Sequence, residues 1–575
     1  MPRRCLFSTL ALSLFLGNAN ALTSFELHNI NEAHKQGFTG EGVKIGVIDA
    51  QFHPEHFLLS GQFLEPPIDN THTNQDHANH VAGIAAANKT NGKSYGIATH
   101  SKILAFGNLG QTTKWNDFQK ILKYNVKVVN NSHTAPLITL RDFAQNNDVL
   151  IIYASGNSST LTPQLSARQG TGSDNNLGAW LTVGNIDPAH VTRINGKLSV
   201  DEYAVGGSGF ADTQLCYTAS AYCVMAAGTG IQSAGQAGII ESSGSSMAAP
   251  VVTGIAALVA QKYPFLGGKQ LADVILSTAN KDFTTPEVIY KQIIGVNKTS
   301  YEVVYIDKKA PTDKQQVLDD LKKVYGHTAG LTIDSTFGIS SLTKEDVYGQ
   351  GIVDAEKALK GLALLDINRL SAKDVSGNTA FYTINTNGHS ALFENDLNER
   401  QWDDKYHIDN STAAKQTLKA ALEHKNAGLK KTGLGTLSLS GDLNYKGDTN
   451  IEGGTLALVR PTNTVQSRST LLRNAAAISL QGNVNVGSAG TLDISREANL
   501  QQNLNNSGTT NINAETNIAN NFENKGTANV NAKLTAQNLN NSGTTNIDAA
   551  TNVAQDVNNQ GTLNLGISKP QTLTV

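Results

Sequence analysis

Four polar residues stand at the ends of apolar runs, and their side chains are those of nucleophilic catalysis. Asp49 ends the run VKIGVI, and His77 opens a stretch of small residues. Asn157 follows a second apolar run, and Ser246 begins a third stretch of small and apolar residues. A serine hydroxyl becomes a nucleophile when a histidine takes its proton and a carboxylate orients that histidine. An amide N–H can then stabilise the oxyanion that forms.

Each of these residues also has an ordinary structural explanation. An aspartate after a strand is usually part of a turn or cap, and a serine at a helix start is usually an N-cap. A lone histidine is more often structural than catalytic, and a Gly-Asn pair can be only a turn. The pairs His77/His80 and His53/His56 could suggest a metal site, but no HExxH or CxxC motif completes a ligand set. We therefore expect no metal ligands among them.

The elements that must position these residues are alternating strands and helices between 22 and about 361. The runs VKIGVID, KILAFG, VKVVNNS, DVLIIYAS and AWLTVGN are continuous and apolar, as buried parallel strands are. Between them lie helix-like stretches such as 79–88 and 248–262. This alternation predicts an α/β domain with a parallel sheet and helices on both faces. Ligands bind at the carboxyl ends of such strands, which is where Asp49 stands.

Composition and targeting signals narrow the class of protein. The chain has 575 residues, a formal net charge of −3 and only 16% charged residues, which argues against a nucleic-acid binder. Residues 1–21 combine a basic start, a short apolar run and Ala19-Asn20-Ala21, and this pattern predicts a cleaved signal peptide. An uncleaved anchor is the alternative. No later run approaches 18 apolar residues, so we expect no transmembrane helix.

Two cysteines, Cys216 and Cys223, remain after the signal segment and flank six residues. In a chain that leaves the cytoplasm, a local disulfide is the natural interpretation, and a reduced, inert pair is the alternative.

The chain from 431 to 575 is built from a short repeat. Gly-Thr pairs occur at intervals of 19, 36, 18, 18, 17 and 18 residues, and the segment QNLNNSGTTNI appears twice. The interval of 36 is two periods, with one rung looped out. So short a unit cannot bury its own core and must stack on its neighbours, which predicts a right-handed parallel β-solenoid. A disordered Asn-rich tract is the alternative. Residues 362–430 have a weak signal, apart from a helix candidate at 412–425, and we expect them to link the two bodies.

The blocks VKIGVIDA, HANHVAGIAAA and GSSMAAPVVTG, in this order, resemble the subtilisin-like serine proteases, or subtilases. Supporting blocks are VVNNSH, YASGNSS and YGQGIVDAEKAL, and the resemblance covers about 25–361. It implies that Ser246 attacks the scissile carbonyl, that His77 is the base and that Asp49 orients it. Asn157 and the backbone N–H of Ser246 would form the oxyanion hole.

The resemblance also implies that segments 129–132 and 153–156 line the peptide cleft. Their edges could pair with an extended substrate. The residues concerned are Val129, Asn130, Asn131, Ser132, Tyr153, Ala154, Ser155 and Gly156. The chemistry needs no cofactor, and the sequence does not reveal whether structural calcium is bound.

Four blocks depart from the usual pattern of the family. Asp49-Ala50-Gln51 stands where the family usually reads D-T/S-G, and His77-Ala78-Asn79-His80 stands for H-G-T-H. Ser132-His133-Thr134 replaces S-L-G, and Ser245 replaces the threonine before the nucleophile. None of these changes removes a catalytic atom, but the methyl group of Ala78 could shift His77.

The repeat region GLKKTGLGTLSLSGDLNYKGDTNIEGGTLAL resembles the passenger repeat of bacterial autotransporters. That resemblance implies an exported protease at the cell surface or outside the cell, with polypeptide substrates and an outer-membrane translocator as partner. No strands of a translocator barrel follow the repeats, so we expect the translocator to lie outside this chain. A catalytically inert adhesin or scaffold, and a periplasmic processing protease, are the alternative functions.

Overall fold

The computed structural model describes residues 22–70, 75–107, 115–133, 138–168, 178–205, 213–294, 299–408, 411–461, 477–566 and 572–575. The predicted signal peptide at 1–21 lies outside the described residues.

A six-stranded parallel sheet forms the centre of the first domain. Its strands are β1 Lys44–Ile48, β2 Lys102–Phe106, β3 Val128–Asn131, β4 Leu150–Ala154, β5 Trp180–Ile186 and β6 Cys223–Ala227. Their order across the sheet is β6-β5-β4-β3-β1-β2, and each neighbouring pair is parallel. Nearly every residue of these strands is buried, as expected of a parallel sheet covered on both faces. The α/β prediction is confirmed.

Three helices matter most for the site: α1 Gln75–Ala86, α2 Ser245–Lys262 and α3 Gly268–Thr278. The other α-helices are Ser24–Leu27, Ile30–Lys35, Trp115–Lys123, Ile138–Asn147, Lys314–Tyr325, Lys344–Tyr348, Ala355–Ala358 and Thr412–Leu422. Short 3-10 helices span Pro188–His190, Tyr217–Tyr222, Ile367–Arg369, Ala372–Asp374 and Asp404–His407. Among the described residues, none of the helices combines the length and the apolar character needed to cross a membrane.

The first domain also contains four small sheets. One is the hairpin of Ile231–Ala234 with Ile239–Ser242, which packs on α1. The others are Lys89–Thr90 with Lys93–Ser94, then Val191–Ile194 with Lys197–Val200 and Phe283–Thr284, and then Val288–Ile294 with Thr299–Ile306 and Phe337–Leu342.

The second domain is a stack of parallel strands, as the repeat predicted. One sheet contains Val375–Ser376, Thr379–Asn385, Asn426–Thr432, Thr449–Ile451, Ile478–Leu480, Val484–Val486, Ala498–Leu500, Leu504–Asn506, Thr516–Asn524, Leu534–Asn541, Thr551–Val553, Val557–Asn559 and Leu573–Thr574. A second contains Ala391–Phe393, Thr436–Leu439, Gly454–Leu458, Gly490–Ile494, Thr509–Ile512, Thr527–Val530, Thr544–Ile547 and Thr562–Leu565. A short third sheet contains Leu364–Asp366, Leu397–Arg400 and Leu443–Asn444.

The interval of 36 residues between two Gly-Thr pairs is a single step of this stack. Gly454 is paired directly with Gly490 in adjacent strands, so the residues between them include an insertion and not a further rung of this sheet.

The interpretation of residues 362–430 as a linker is corrected by the structure. Thr379–Asn385 pairs along its whole length with Asn426–Thr432, and Ala391–Phe393 pairs with Thr436–Leu439. The solenoid therefore begins within this segment, immediately after the first domain. The two longer strands are seven residues each, but they lie 47 residues apart and lack the repeated Gly-Thr pair, so the sequence does not reveal their pairing.

The two domains share one continuous apolar core, which includes Val47 and Ile255 of the first domain and Leu437 and Ile494 of the solenoid. Tyr263, at the end of α2, is buried, and its hydroxyl oxygen lies 2.7 Å from the carbonyl of Leu359 and 2.9 Å from the carbonyl of Leu392 in the solenoid. A buried ion pair between Asp273 of α3 and Arg369 adds a second connection. Among the described residues, the apolar core therefore continues from the first domain into the solenoid.

Amide side chains stack along the solenoid from rung to rung. The side chains of Asn506, Asn524 and Asn541 are buried, and each donates its Nδ2 to the Oδ1 of the next asparagine at 2.7–2.9 Å, ending on Asn559. Lys431 is also buried, and its Nζ donates to three backbone carbonyls at 2.8–3.0 Å. These bonds satisfy polar groups inside an otherwise apolar coil.

Candidate active site

The four candidate residues stand at the carboxyl edge of the parallel sheet and at the starts of two helices. Asp49 follows β1, and its backbone N–H donates to the carbonyl of Phe106 at the end of β2. His77 lies in the first turn of α1, and Ser246 is the second residue of α2. Asn157 follows β4. The sheet and these two helices therefore bring together side chains that are almost 200 residues apart in sequence.

Asp49 holds His77 by a direct hydrogen bond. The Asp49 side chain is fully buried, and its Oδ1 accepts from Nδ1 of His77 at 2.7 Å and from the backbone N–H of Ala50 at 2.7 Å. Because Nδ1 carries the hydrogen in this bond, Nε2 is left with the lone pair of a base. Burial lowers the pKa of His77, but the charge of Asp49 and the hydrogen bond to it outweigh that effect, so the pKa is raised above its usual value.

The second carboxylate oxygen of Asp49, Oδ2, is buried without a hydrogen-bond partner among the described residues. The residue that follows is Ala50, whose methyl group offers no donor, whereas the family usually has a hydroxyl at this position. A buried acceptor without a donor costs free energy. The altered block after Asp49 therefore leaves the Asp49–His77 bond in place but removes one source of support for the carboxylate.

The altered block around His77 is accommodated by its surroundings. Ala78 is completely buried, and His77 still reaches Asp49. Asn79 is buried and bonds two segments: its Oδ1 accepts from the backbone N–H of His53 at 2.8 Å, and its Nδ2 donates to the carbonyl of Gly235 at 2.9 Å. Asn79 thus connects the first turn of α1 with the loop after β1 and with the hairpin tip.

His80, the other histidine of this block, is buried and bonded to the backbone, as a histidine with a structural role would be. Its Nε2 lies 2.9 Å from the carbonyl of Ile231 in the neighbouring hairpin. Burial lowers its pKa to about 4, so the ring is neutral at neutral pH. In the described part of the chain, no group of three or more His, Cys, Asp and Glu side chains is arranged to hold a metal ion.

Ser246 and Ser132 are connected by two reciprocal hydrogen bonds. The Ser246 hydroxyl donates to the carbonyl of Ser132 at 3.0 Å, and the Ser132 hydroxyl donates to the carbonyl of Ser246 at 2.9 Å. Asn130 supports the arrangement by donating to the Ser132 hydroxyl at 2.9 Å, and Thr253 of α2 donates to Asn130 at 3.0 Å. The hydroxyl hydrogen of Ser246 is therefore directed at a carbonyl, and the hydroxyl would have to rotate before a base could take its proton.

Ser245 fixes the orientation of the Asn157 side chain. The Oδ1 of Asn157 accepts from the backbone N–H of Ser245 at 2.8 Å and from its hydroxyl at 2.9 Å. A backbone N–H can only donate, so the accepting atom must be the amide oxygen, and Nδ2 remains available as a donor. Gly244 has φ +136°, and a Cβ there would lie 2.9 Å from Nδ2 of Asn157, so only glycine leaves the amide its space.

Segments 129–132 and 153–156 do not have free edges along their strands, which corrects part of the cleft prediction. Val129, Asn130 and Asn131 belong to β3, whose residues are paired with both β1 and β4. Tyr153 and Ala154 belong to β4, which is paired with β5 on its other side. An interior strand has no edge to offer a substrate, because both rows of its backbone groups are already bonded. Of the residues that follow the strands, Ser132 bonds Ser246 and Gly156 bonds Ser245.

Ser155 and Gly156 follow β4 and are hydrogen-bonded to Gln214 and Ser245. The hydroxyl of Ser245 accepts from the backbone N–H of Gly156 at 3.0 Å, and the carbonyl of Gly156 accepts from the N–H of Gln214. Gly156 has φ +112°, and a Cβ there would collide with the side chain of Gln214. Two residues after Gln214, Cys216 forms the expected disulfide with Cys223, so that prediction is confirmed.

Sequence reasoning missed the supporting roles of Ser245, Thr253 and Asn79, and it assigned Asn130 to the peptide cleft and not to the support of Ser132. Each is a buried or half-buried polar side chain within an apolar run, and that position was the available signal. Their partners lie 26 to 156 residues away, however, so no local pattern reveals what they bind.

Comparison with known families gives two matches. The model of the subtilase family matches residues 40–318, and the model of the passenger-associated-transport-repeat matches residues 429–458. The first contains the catalytic candidates, and the second lies at the start of the solenoid.

Individual relatives are similar over the first domain. A subtilisin of Bacillus pumilus is 30% identical over 264 residues, which are 43% of this chain and 86% of that protein. Subtilisin Savinase of Lederbergia lenta is 28% identical over 263 residues, with 43% and 87% covered. An extracellular serine protease of Serratia marcescens is 26% identical over 327 residues, which cover 43% of this chain and 30% of its own. The chain spans 61% of the M-protease of Shouchella clausii. On the basis of these matches, the chain belongs to the subtilase family.

Proposed function

We propose that this protein is an exported serine endopeptidase that hydrolyses peptide bonds through Asp49, His77 and Ser246. The observation that carries the proposal is the 2.7 Å bond from Nδ1 of His77 to the fully buried carboxylate of Asp49. A buried carboxylate that fixes the imidazole tautomer is what a general base needs, and Ser246 stands in the first turn of α2.

In the first step, the Ser246 hydroxyl leaves the carbonyl of Ser132 and gives its proton to Nε2 of His77. The Ser246 oxygen attacks the carbonyl carbon of the substrate, and the resulting imidazolium is stabilised by Asp49. His77 then returns the proton to the leaving amine, so the peptide bond breaks and an acyl-enzyme remains. Water hydrolyses the acyl-enzyme by the same route, with His77 again acting as the base.

The oxyanion that forms in both steps is proposed to be bound by Nδ2 of Asn157 and the backbone N–H of Ser246. Ser245 supports this role because its two donors hold the amide oxygen of Asn157 and leave Nδ2 to donate. The first N–H groups of a helix have no acceptor within that helix, and the helix dipole favours negative charge there. Donors that are already in place cost no reorganisation during the reaction.

Export and surface display are the second part of the proposal. The passenger-associated-transport-repeat match and the stacked solenoid support an autotransporter-type route, with a signal peptide at 1–21 and an outer-membrane translocator as partner. We propose polypeptides as substrates and no nucleic-acid partner. We also propose that the chemistry needs no cofactor, since the base, nucleophile and oxyanion donors are all side-chain or backbone groups.

The test is labelling of residues 22–575 with a fluorophosphonate probe, which reacts with an activated serine. We expect labelling of the parent chain and none of Ser246→Ala or His77→Ala. Ser132→Ala is the matched control, since it removes a neighbouring hydroxyl but not the nucleophile, and it should still be labelled. Absence of labelling in a correctly folded parent chain would refute the proposal and favour the inert adhesin or scaffold.

A further inference from the structure

Two large apolar side chains are exposed close to the helix turn that carries His77. Phe57, in the loop after β1, is 49% exposed, and Ile239, at the start of the second strand of the hairpin, is 41% exposed. Neither is needed to cover the core of its own segment. Solvent-exposed aromatic and branched side chains held beside a catalytic group commonly contact a ligand.

His56 connects the two segments that carry Phe57 and Ile239. Its ring stacks on the ring of Phe57 with centroids 4.6 Å apart, and its Nε2 lies 3.1 Å from the carbonyl of Gly238, the residue before Ile239. The backbone N–H of Leu58 donates to Nδ1 of His56, so Nε2 carries the hydrogen and donates to Gly238. His56 itself is only 3% exposed, so its position is fixed, and it supports both Phe57 and the backbone that precedes Ile239.

The first turn of α1 anchors both segments next to His77. Asn79 bonds the loop after β1 through His53 and the hairpin tip through Gly235. Asp76, which directly precedes His77, accepts from the backbone N–H of Gln236 in the same tip. The segments that carry Phe57 and Ile239 are thus bonded to the residues on both sides of His77, at the start of α1.

The reaction requires the leaving group to lie close to His77. His77 delivers its proton to the amine that departs, so the part of the substrate after the scissile bond must pass close to His77. The acyl part lies instead by Ser246, Asn157 and Ser132. We propose that Phe57 and Ile239 form an apolar binding site for substrate residues that follow the scissile bond. This inference rests on the proposed function and identifies a feature of its substrates.

The site predicts a preference for an apolar side chain within the first three positions after the cleaved bond. Apolar contacts of this size discriminate by about 10- to 100-fold in kcat/KM. A substrate without residues beyond the scissile bond, such as a peptide nitroanilide, cannot reach the pair and should not benefit from it.

The experiment compares two kinds of substrate with the same acyl part. Quenched fluorescent peptides carry either Leu or Ser at each of the three positions after the scissile bond, and the nitroanilide carries none. Each substrate is tested on the mature full-length chain and on the variants Phe57→Ser and Ile239→Ser. Ile194→Ser is the matched control, because Ile194 is 58% exposed on a different sheet.

We expect Phe57→Ser and Ile239→Ser to lower kcat/KM about 10-fold on the Leu peptides, while the nitroanilide and the control variant stay unchanged. Equal losses on the peptides and the nitroanilide would overturn the inference, because they would indicate damage to the catalytic framework. Unchanged kcat/KM on the Leu peptides would overturn it too. A failure of the proposed function looks different: the parent chain would then neither cleave any substrate nor react with the fluorophosphonate.

Discussion

His28 makes the catalytic domain sensitive to acid, and the structure gives the size of the effect. The backbone N–H of Ala227, the last residue of β6, donates to Nε2 of His28 at 2.9 Å, and Nδ1 lies 2.7 Å from the carbonyl of Val353. Because Nε2 must accept, Nδ1 must carry the hydrogen and donate, so the ring is neutral. Burial lowers the pKa of His28 to about 4, and the bond to Val353 opposes this only in part.

The direction of the effect follows from proton uptake. Between the unfolded pKa of 6.5 and the folded pKa of about 4, the unfolded chain binds more protons than the folded chain, so stability falls as the pH falls. At 1.36 kcal/mol per pKa unit, His28 alone costs about 2 kcal/mol of unfolding free energy at pH 5 and about 3 kcal/mol at pH 4. Above pH 7 it contributes no pH dependence.

The assay is urea unfolding of the mature chain at pH 7 and pH 5, followed by tryptophan fluorescence. Ser246→Ala serves as the parent to prevent self-digestion, and His28→Gln removes the titrating ring. We expect the loss of unfolding free energy between the two pH values to be about 2 kcal/mol smaller in His28→Gln than in the parent. His53→Gln, at an exposed histidine, should keep the parent's loss.

The comparison uses the pH-dependent change within each variant, so any constant destabilisation by the substitution cancels. His80 and His407, whose pKa values burial also lowers to about 4, contribute equally to parent and variant. If His28→Gln loses as much stability between pH 7 and pH 5 as its parent, the assigned tautomer and its hydrogen bonds are wrong.

Four other outcomes are expected. The acid limb of kcat/KM should have its midpoint above pH 6.5, because His77 acts as a neutral base and its pKa is raised; a midpoint below 6.5 would contradict the Asp49–His77 geometry. Asn157→Ala should lower kcat by about 10²–10³-fold with little change in KM, as for other oxyanion donors, and steady-state kinetics on a peptide substrate measures it. Ser245→Thr should keep kcat, while Ser245→Ala should lower it by a smaller factor than Asn157→Ala, because the backbone N–H still holds the amide. Lys431→Met should lower the urea unfolding free energy by about 2 kcal/mol, since three partly buried carbonyls lose their donor; an unchanged midpoint would argue that water replaces the ammonium.

The elements that the sequence predicts well are those with local patterns. The buried strand before Asp49 is a continuous apolar run, and the helix that carries Ser246 consists mostly of small and apolar residues. The repeat of 17 to 19 residues likewise predicts the stacked strands, because equivalent residues return to equivalent positions in every rung.

The elements that escape prediction depend on partners far along the chain. The strand Thr379–Asn385 becomes visible only through its pairing with Asn426–Thr432. The burial of Lys431 depends on a carbonyl of Gly453, 22 residues later, and a lysine in sequence suggests a solvated surface. The position of the Asn157 amide depends on Ser245, 88 residues away. Such contacts arise from tertiary packing, which local patterns do not encode.

The apolar core that the first domain shares with the solenoid restricts where the chain could be cut without unfolding the first domain. A cleavage near 361 would remove Arg369, one of the two cations that pair with the buried Asp273, and would expose to water the apolar core that the first domain shares with the solenoid. A buried aspartate that keeps only part of its ion pairing destabilises the fold. A fragment that keeps the first domain folded would therefore have to include the first solenoid strands. The smallest stable piece of this chain is longer than the part that resembles a protease.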